Sequence, residues 1–229
     1  MLINLTHPLK RSSPIYVGTP EMDITPDKSI ESGNSSNTSI ISFSSHCGTH
    51  LDSPLHFCKN GKSISKGIPH TWTLEPAYCI NLNKEPGECI TVNNILEIIP
   101  EIRDAKAIII KTGFGNYRNN KQEIYTNNNP WINPKVPAIL HRELPDLVLF
   151  GIDTISISSP LHRDEGRECH RSFLCDKRPI WVLEDLNLEN LTPENKRFKL
   201  TIFPYIHENI DGTPVFVIAE KNYNFDQKS

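Results

Sequence analysis

The chain has 229 residues, enough for one domain with a substantial core. Its 24 Lys and Arg against 27 Asp and Glu leave a net charge of −3, without the basic surplus of a nucleic-acid binder. Hydrophobic residues at 37% and charged residues at 22% give an ordinary soluble composition, and the longest apolar run falls far short of the ~20 residues a membrane helix needs.

The opening, Met1 to Pro14, has no apolar h-region, so no signal peptide is expected. Lys28 to Ser45 is rich in Ser, Asn and Thr, and its end, Ile41 to Ser45, alternates like a strand. Thr91 to Ile99 reads as a helix capped by Thr91 or Asn93. Ala107 to Lys111 reads as a buried strand. Asn116 to Pro134 is Asn-rich and poor in apolar residues, which predicts a long surface loop. Leu147 to Ile152 and Pro179 to Leu183 are further buried strands, ending at Asp153 and Glu184. Lys199 to Pro204 and Val215 to Ala219 follow, with Asp211-Gly212 as a turn signal between them. Strands outnumber helices, so the expected class is mixed α/β, centred on a sheet that curls into a barrel. No boundary interrupts residues 1–229, and one domain is expected. Six cysteines are scattered without CxxC pairs, so neither a disulfide scaffold nor a closed zinc site is expected. The expected setting is a reducing cytoplasm.

The segment His46 to His56, HCGTHLDSPLH, concentrates three histidines and one aspartate within eleven residues. His46, His50, Asp52 and His56 sit at even spacing, which aims all four to one side of an extended chain. Gly48, Thr49 and Pro54 oppose a helix, and Pro54 also ends a regular strand, so a strand running into an irregular turn fits best. Imidazole with carboxylate suits a catalytic zinc, manganese or iron site. A thiol mechanism through Cys47 or Cys58 beside histidine ranks lower, because packing accounts for most lone cysteines.

The same segment resembles the H-x-G-T-H-x-D-x-P-x-H signature of the metal-dependent cyclase-like hydrolases, a family that includes bacterial kynurenine formamidase (arylformamidase) and isatin hydrolase. The likeness runs along most of the chain. NLTHPLKRSSPIYVGTP, IIIKTGF, LFGIDTISI and HRSFL followed by IWVLEDLNL are each similar to a family segment. The resemblance implies a swivelling β/β/α fold with a barrel-like central sheet. It implies hydrolysis of a small amide or lactam, and for kynurenine formamidase a place in tryptophan catabolism. His46, His50 and Asp52 are then metal ligands, with Asp52 shared between two ions, and His170 and Glu184 complete the second site. His56 becomes the proton donor and acceptor, and Tyr16 stands where the kynurenine formamidases carry a pocket tryptophan. The implied cofactor is Zn2+ or Mn2+, two per chain. The implied partners are a small-molecule substrate and copies of the chain itself, as a homodimer or homotetramer, with the Asn-rich segment near Trp131 at such an interface.

Two features depart from the family. The His170 to Glu184 spacing is about two residues longer than the family's, which leaves His162 as a rival ligand. HRDEGRECHRSFL lacks the adjacent histidines of the kynurenine formamidases. Its Arg163, Arg167 and Arg171 read as a solvated, ion-paired stretch in preference to an anion site, because Asp164, Glu165 and Glu168 lie among them. His7, His70, His141 and His207 have no partner legible in the sequence.

Overall fold

A computed structural model describes residues 1–68, 72–192 and 196–221. Its strands are β1 (Leu2–Asn4), β2 (Asp23–Lys28), β3 (Thr38–Ser42), β4 (His50–Asp52), β5 (Trp72–Asn81), β6 (Cys89–Ile90), β7 (Ala107–Lys111), β8 (Trp131–Ile132), β9 (Leu149–Ile152), β10 (Trp181–Glu184), β11 (Arg197–Pro204) and β12 (Gly212–Glu220). Its helices are α1 (Ile64–Gly67), α2 (Val92–Ile98), α3 (Tyr117–Asn120), α4 (Gln122–Asn127), α5 (Val136–Glu143) and α6 (Arg163–Leu174). The mixed class and the barrel are as the sequence predicts. Strands β12, β11, β5, β7, β9, β10 and β4 follow one another around a barrel, and β4 pairs back onto β12 to close it. No helix among the described residues is long and apolar enough to cross a membrane.

The apolar runs explain how the barrel carries two cores. β5, β7, β9 and β10 pair in parallel, and such strands are buried on both faces. In β7 the period of two sends Ala107 and Ile109 into one cluster, with Leu5, Leu51 and Leu200. Ile108 and Ile110 enter the other, with Ile95 of α2, Leu140 of α5 and Phe173 of α6. Each of these isoleucines is fully buried, which contributes about 2 kcal/mol of transfer free energy apiece. The alternation holds in β10, where Trp181 and Leu183 join the first cluster and Val182 the second. Glu184 shares the parity of Val182, so it faces the helical layer. In β4, Leu51 joins the first cluster, leaving His50 and Asp52 on the helical side.

The helix expected at Thr91 is present, and Thr91 caps it in a reciprocal box with Asn94. Two expectations need correction, and one cysteine pair adds a bond that the sequence does not disclose. Asn116 to Pro134 is not a surface loop: it forms α3, α4 and β8, and Tyr125 and Asn129 are fully buried. The charged stretch from Arg163 is the two-sided helix α6, whose Gly166, Cys169, His170, Phe173 and Leu174 form the buried face. A Cβ on Gly166 would lie 1.9 Å from Ser158 Oγ, so a residue that weakens the helix is what lets it seat closely. The cysteines are not all free, because Cys58 and Cys175 form a disulfide, the kind of bond that oxidising surroundings favour. It ties the turn after His56 to the end of α6. Cys58 therefore has no thiol to offer, and burial pushes the Cys47 thiol up, so the sulfur mechanism loses both candidates.

The Asn-rich segment also clamps the far side of β10. Arg118 donates from Nε and Nη2 to both carboxylate oxygens of Asp185, each at 2.7 Å, and the Tyr125 hydroxyl donates to the same carboxylate. Asp185 directly follows Glu184 and adopts a left-handed φ of 52°. With Arg118 at 3% exposure and Asp185 at 1%, loss of one partner strands a buried charge. Arg118→Ala is expected to lower the free energy of unfolding by about 3–5 kcal/mol, read as a lower denaturant midpoint.

Candidate functional site

The register of β4 assembles the site. Its antiparallel pairing with β10 sets Glu184 opposite His50 and Val182 opposite Asp52. Its pairing with β12 sets Gly212 opposite Asp52. Helix α6 then lowers His170 onto the same face. The His50 Nδ1–H donates to the Gly48 carbonyl at 2.8 Å, and the His170 Nδ1–H donates to the Gly166 carbonyl at 2.8 Å. Both rings thus present Nε2 inward. His50 Nε2 lies 3.4 Å from Asp52 Oδ1 and 3.3 Å from Glu184 Oε2. His170 Nε2 lies 3.4 Å from Glu184 Oε1 and 3.7 Å from Asp52 Oδ2. The loop after β9 fixes Glu184, whose Oε1 accepts from the Ile157 amide at 2.7 Å and the Ser156 hydroxyl at 3.1 Å.

Two buried carboxylates facing two imidazoles need positive charge between them. Burial opposes charging His50 and His170, yet Glu184 and Asp52 raise both rings above the usual histidine range. Burial favours protonating both carboxylates, and Glu184 adds to that at Asp52; His46 and His56 nonetheless hold Asp52 below the usual range, and His170 and His50 hold Glu184 below it. A divalent cation supplies the same charge with two nitrogen and two oxygen ligands. The backbone-bonded Nδ1 of each ring is the arrangement that orients metal-ligating histidines. The donor set therefore fits a metal. The ligand atoms of His50, Asp52 and Glu184 lie within 4.8 Å of one another, and so do those of His46, Asp52 and His56. Asp52 is common to both groups.

His46 and His56 occupy the outer part of the cluster, their ring centroids 3.9 Å apart. His46 bridges two carboxylates, with Nδ1 2.8 Å from Asp52 Oδ1 and Nε2 2.9 Å from Asp211 Oδ2. Burial disfavours its charge, but the two carboxylates outweigh that and raise its pKa to about 10. His56 Nδ1 lies 3.1 Å from the same Asp211 oxygen, which leaves its Nε2 for a proton. Asp211 also holds the turn below His56, because its backbone carbonyl accepts from the Ser53 amide at 2.9 Å. Both histidines pull its carboxyl well below the usual range.

The structure thus brings together His46, His50, Asp52, His56, His170 and Glu184. His162 lies apart, stacked on Trp131 with ring centroids 4.2 Å apart. Asp153 also lies outside the cluster and accepts from the Thr112 and Gly113 amides at 2.9 and 3.0 Å, joining the ends of β7 and β9. His7, His141 and His207 take no part in it, and His70 lies outside the described residues. Asp211 is the residue the sequence reading missed. It was legible only as a turn, although Gly212 beside it is a site requirement: a Cβ there would lie 2.5 Å from His46 Cε1.

A cavity of about 310 Å³ opens over the cluster, lined by His46, His50, His56, His170 and Glu184 at its floor and by Tyr16, Ser158, Arg163 and Arg167 higher up. The Tyr16 hydroxyl lies 3.4 Å from Ser158 Oγ. Burial raises the Tyr16 pKa, and the fields of Arg163 and Arg167 oppose that rise.

Comparison with known proteins matches residues 3–159 to the Cyclase family model, described as "Putative cyclase". A kynurenine formamidase from Geobacillus thermodenitrificans is 28% identical over 220 residues, covering 96% of this chain and 97% of that protein. Isatin hydrolase A from Labrenzia aggregata superposes with a TM-score of 0.79 at 22% identity, covering 96% of this chain and 93% of that one. A structure described as a "Potential Metal-Dependent Hydrolase With Cyclase Activity" superposes with a TM-score of 0.75 at 19% identity, covering 97% and 98%. The two structural likenesses establish a shared fold.

Proposed function

This chain belongs to the cyclase family, and from that premise we propose that it is a metal-dependent hydrolase of the carbon–nitrogen bond in a small amide or lactam. The observation that carries the reading is the meeting of His50, Asp52, Glu184 and His170 beneath a cavity that His56 also lines. These four residues would hold a divalent cation, zinc or manganese, and His46 with Asp52 would extend the site toward a second. Bound there, a divalent cation supplies Lewis-acid polarisation of a carbonyl and lowers the pKa of a water toward ~7.

The chain's own residues move the proton. His56 accepts it on Nε2 from the attacking water while Asp211 holds the Nδ1–H, which fixes the tautomer and the ring plane. The water oxygen bonds to the carbonyl carbon, the carbon–nitrogen bond breaks, and His56 returns the proton to the leaving nitrogen. The products are a carboxylate and an amine. His56 lines the cavity with Asp211 bonded to its Nδ1, a pair that a binding module without turnover does not need.

N-formylkynurenine is the substrate we place first, releasing formate and kynurenine, on the strength of the full-length likeness to kynurenine formamidase. Tyr16, in the place of a tryptophan, departs from the kynurenine formamidases, and isatin stands second through the fold shared with isatin hydrolase. Formate release from N-formylkynurenine by protein supplied with zinc or manganese, abolished by EDTA, is the expected result. Bound metal without formate release moves the assignment to isatin. Assembly belongs to the same proposal: Ile30, Ile40 and Ile41 are exposed along the β2–β3 ribbon and support a homodimer or homotetramer, measurable by light scattering.

A further inference from the structure

The arginines of α6 divide into two kinds. Arg163 and Arg167 line the cavity, whereas Arg171, Asp164, Glu165 and Glu168 do not. Arg163, Arg167 and His170 are four and three residues apart, which places them along one face of the helix. His170 sits on the floor of the cavity, and Arg163 stands roughly 10 Å further along the axis, toward the mouth. All three arginines are exposed and Arg167 pairs with Asp164, as the solvated, ion-paired reading expects; Arg163 and Arg167 differ from Arg171 in that they also line the cavity.

Arg163 and Arg167 make the upper part of the cavity cationic, against the charge of the chain as a whole. The chain carries −3, yet among the described residues the one carboxylate that lines the cavity is Glu184, already engaged by two histidines, a hydroxyl and an amide. Arg163 makes no salt bridge among the described residues. Arg167 makes only the solvent-exposed contact to Asp164 at 3.1 Å, a kind of pair that contributes little and yields to a better acceptor. Two guanidinium groups are therefore available to a ligand whose other end reaches the histidines. Guanidinium is the cation best shaped to take a carboxylate through two parallel hydrogen bonds.

Resting on the hydrolase reading above, we propose that Arg163 and Arg167 select substrates that carry a carboxylate at the end remote from the scissile amide. They touch the substrate's anionic group and leave the bond-breaking to the floor of the cavity. Isatin, which is neutral, is then the poorer of the two substrates named above.

The test compares 4-formamidobenzoate with its neutral carboxamide, 4-formamidobenzamide, by release of the aromatic amine. The expected result is a kcat/KM for the acid on the order of 10- to 100-fold above that for the amide, as charge-assisted hydrogen bonds allow. In the double variant Arg163→Gln/Arg167→Gln the ratio falls to about one, mainly through a higher KM for the acid. Arg163→Lys/Arg167→Lys restores part of it, and Arg171→Gln leaves it unchanged. Equal rates on acid and amide in the native protein overturn the proposal, as does a double variant that keeps the ratio. Calorimetry with 4-aminobenzoate against 4-aminobenzamide separates this proposal from the catalytic one. Preference for the acid that the double variant loses, without turnover of either formamide, keeps the anion site and removes the hydrolase reading. No preference in binding, with turnover intact, does the reverse.

Discussion

Replacing Asp52 with alanine is expected to abolish metal binding and to lower kcat/KM at least a thousandfold, equivalent to roughly 4 kcal/mol of barrier. No other side chain belongs to both potential ligand groups. Its Oδ1 meets His46 Nδ1 at 2.8 Å and His50 Nε2 at 3.4 Å, and its Oδ2 faces His170 Nε2 at 3.7 Å. At 1% exposure, Asp52 is a buried charge at the centre of the cluster. Without it, three rings converge with only Glu184 to balance a cation on the inner side. Metal analysis after dialysis, set beside the kinetics, checks the result. An Asp52→Ala protein that retains its full metal content would show that Asp52 is a spectator of a site built from Glu184 and the histidines.

Replacing His56 with alanine is expected to leave metal content unchanged and to lower kcat by about 10²- to 10⁴-fold, the range for loss of a general acid–base group. The expectation rests on the contrast between the histidines. His50 and His170 spend Nδ1 on backbone carbonyls and aim Nε2 at two buried carboxylates. His56 spends Nδ1 on Asp211, which is part-exposed, and lines the cavity. Asp211→Asn should lose less, about 10-fold, because it disturbs the orientation of the ring and keeps the ring itself. Loss of one metal equivalent in His56→Ala would instead make His56 a ligand of the outer group, with His46 and Asp52.

What the sequence discloses about this site follows the range of the interactions. His46, His50, Asp52 and His56 lie within one decapeptide-scale segment, and their spacing alone exposes their chemistry. The strands β7, β9 and β10 were legible because strands buried on two faces are continuous apolar runs, and β12 was legible from the Asp-Gly turn before its apolar run. The partners of these residues were not legible. Asp211 meets His56 across 155 positions, and nothing local distinguishes its turn from any other Asp-Gly turn. The opposition of Glu184 and His50 is a matter of strand register, which no property of either strand fixes by itself. Helix α6 was hidden by its own composition: six charged residues and a glycine obscure a buried stripe of Cys169, His170, Phe173 and Leu174. Arg118 and Tyr125 were hidden among asparagines, although they hold Asp185 in place beside Glu184.

The bond between Cys58 and Cys175 closes a covalent ring across 117 positions of sequence. That ring encloses β5, β7, β9 and all six named helices, while β4, β10, β11 and β12 lie on the two tails outside it. A protease that cuts a single peptide bond within the ring, in the connection between α2 and β7 for instance, opens the chain without dividing it. The piece bearing His56 and the piece bearing His170 stay joined as one molecule. Only a cut combined with reduction lets the two halves of the site separate.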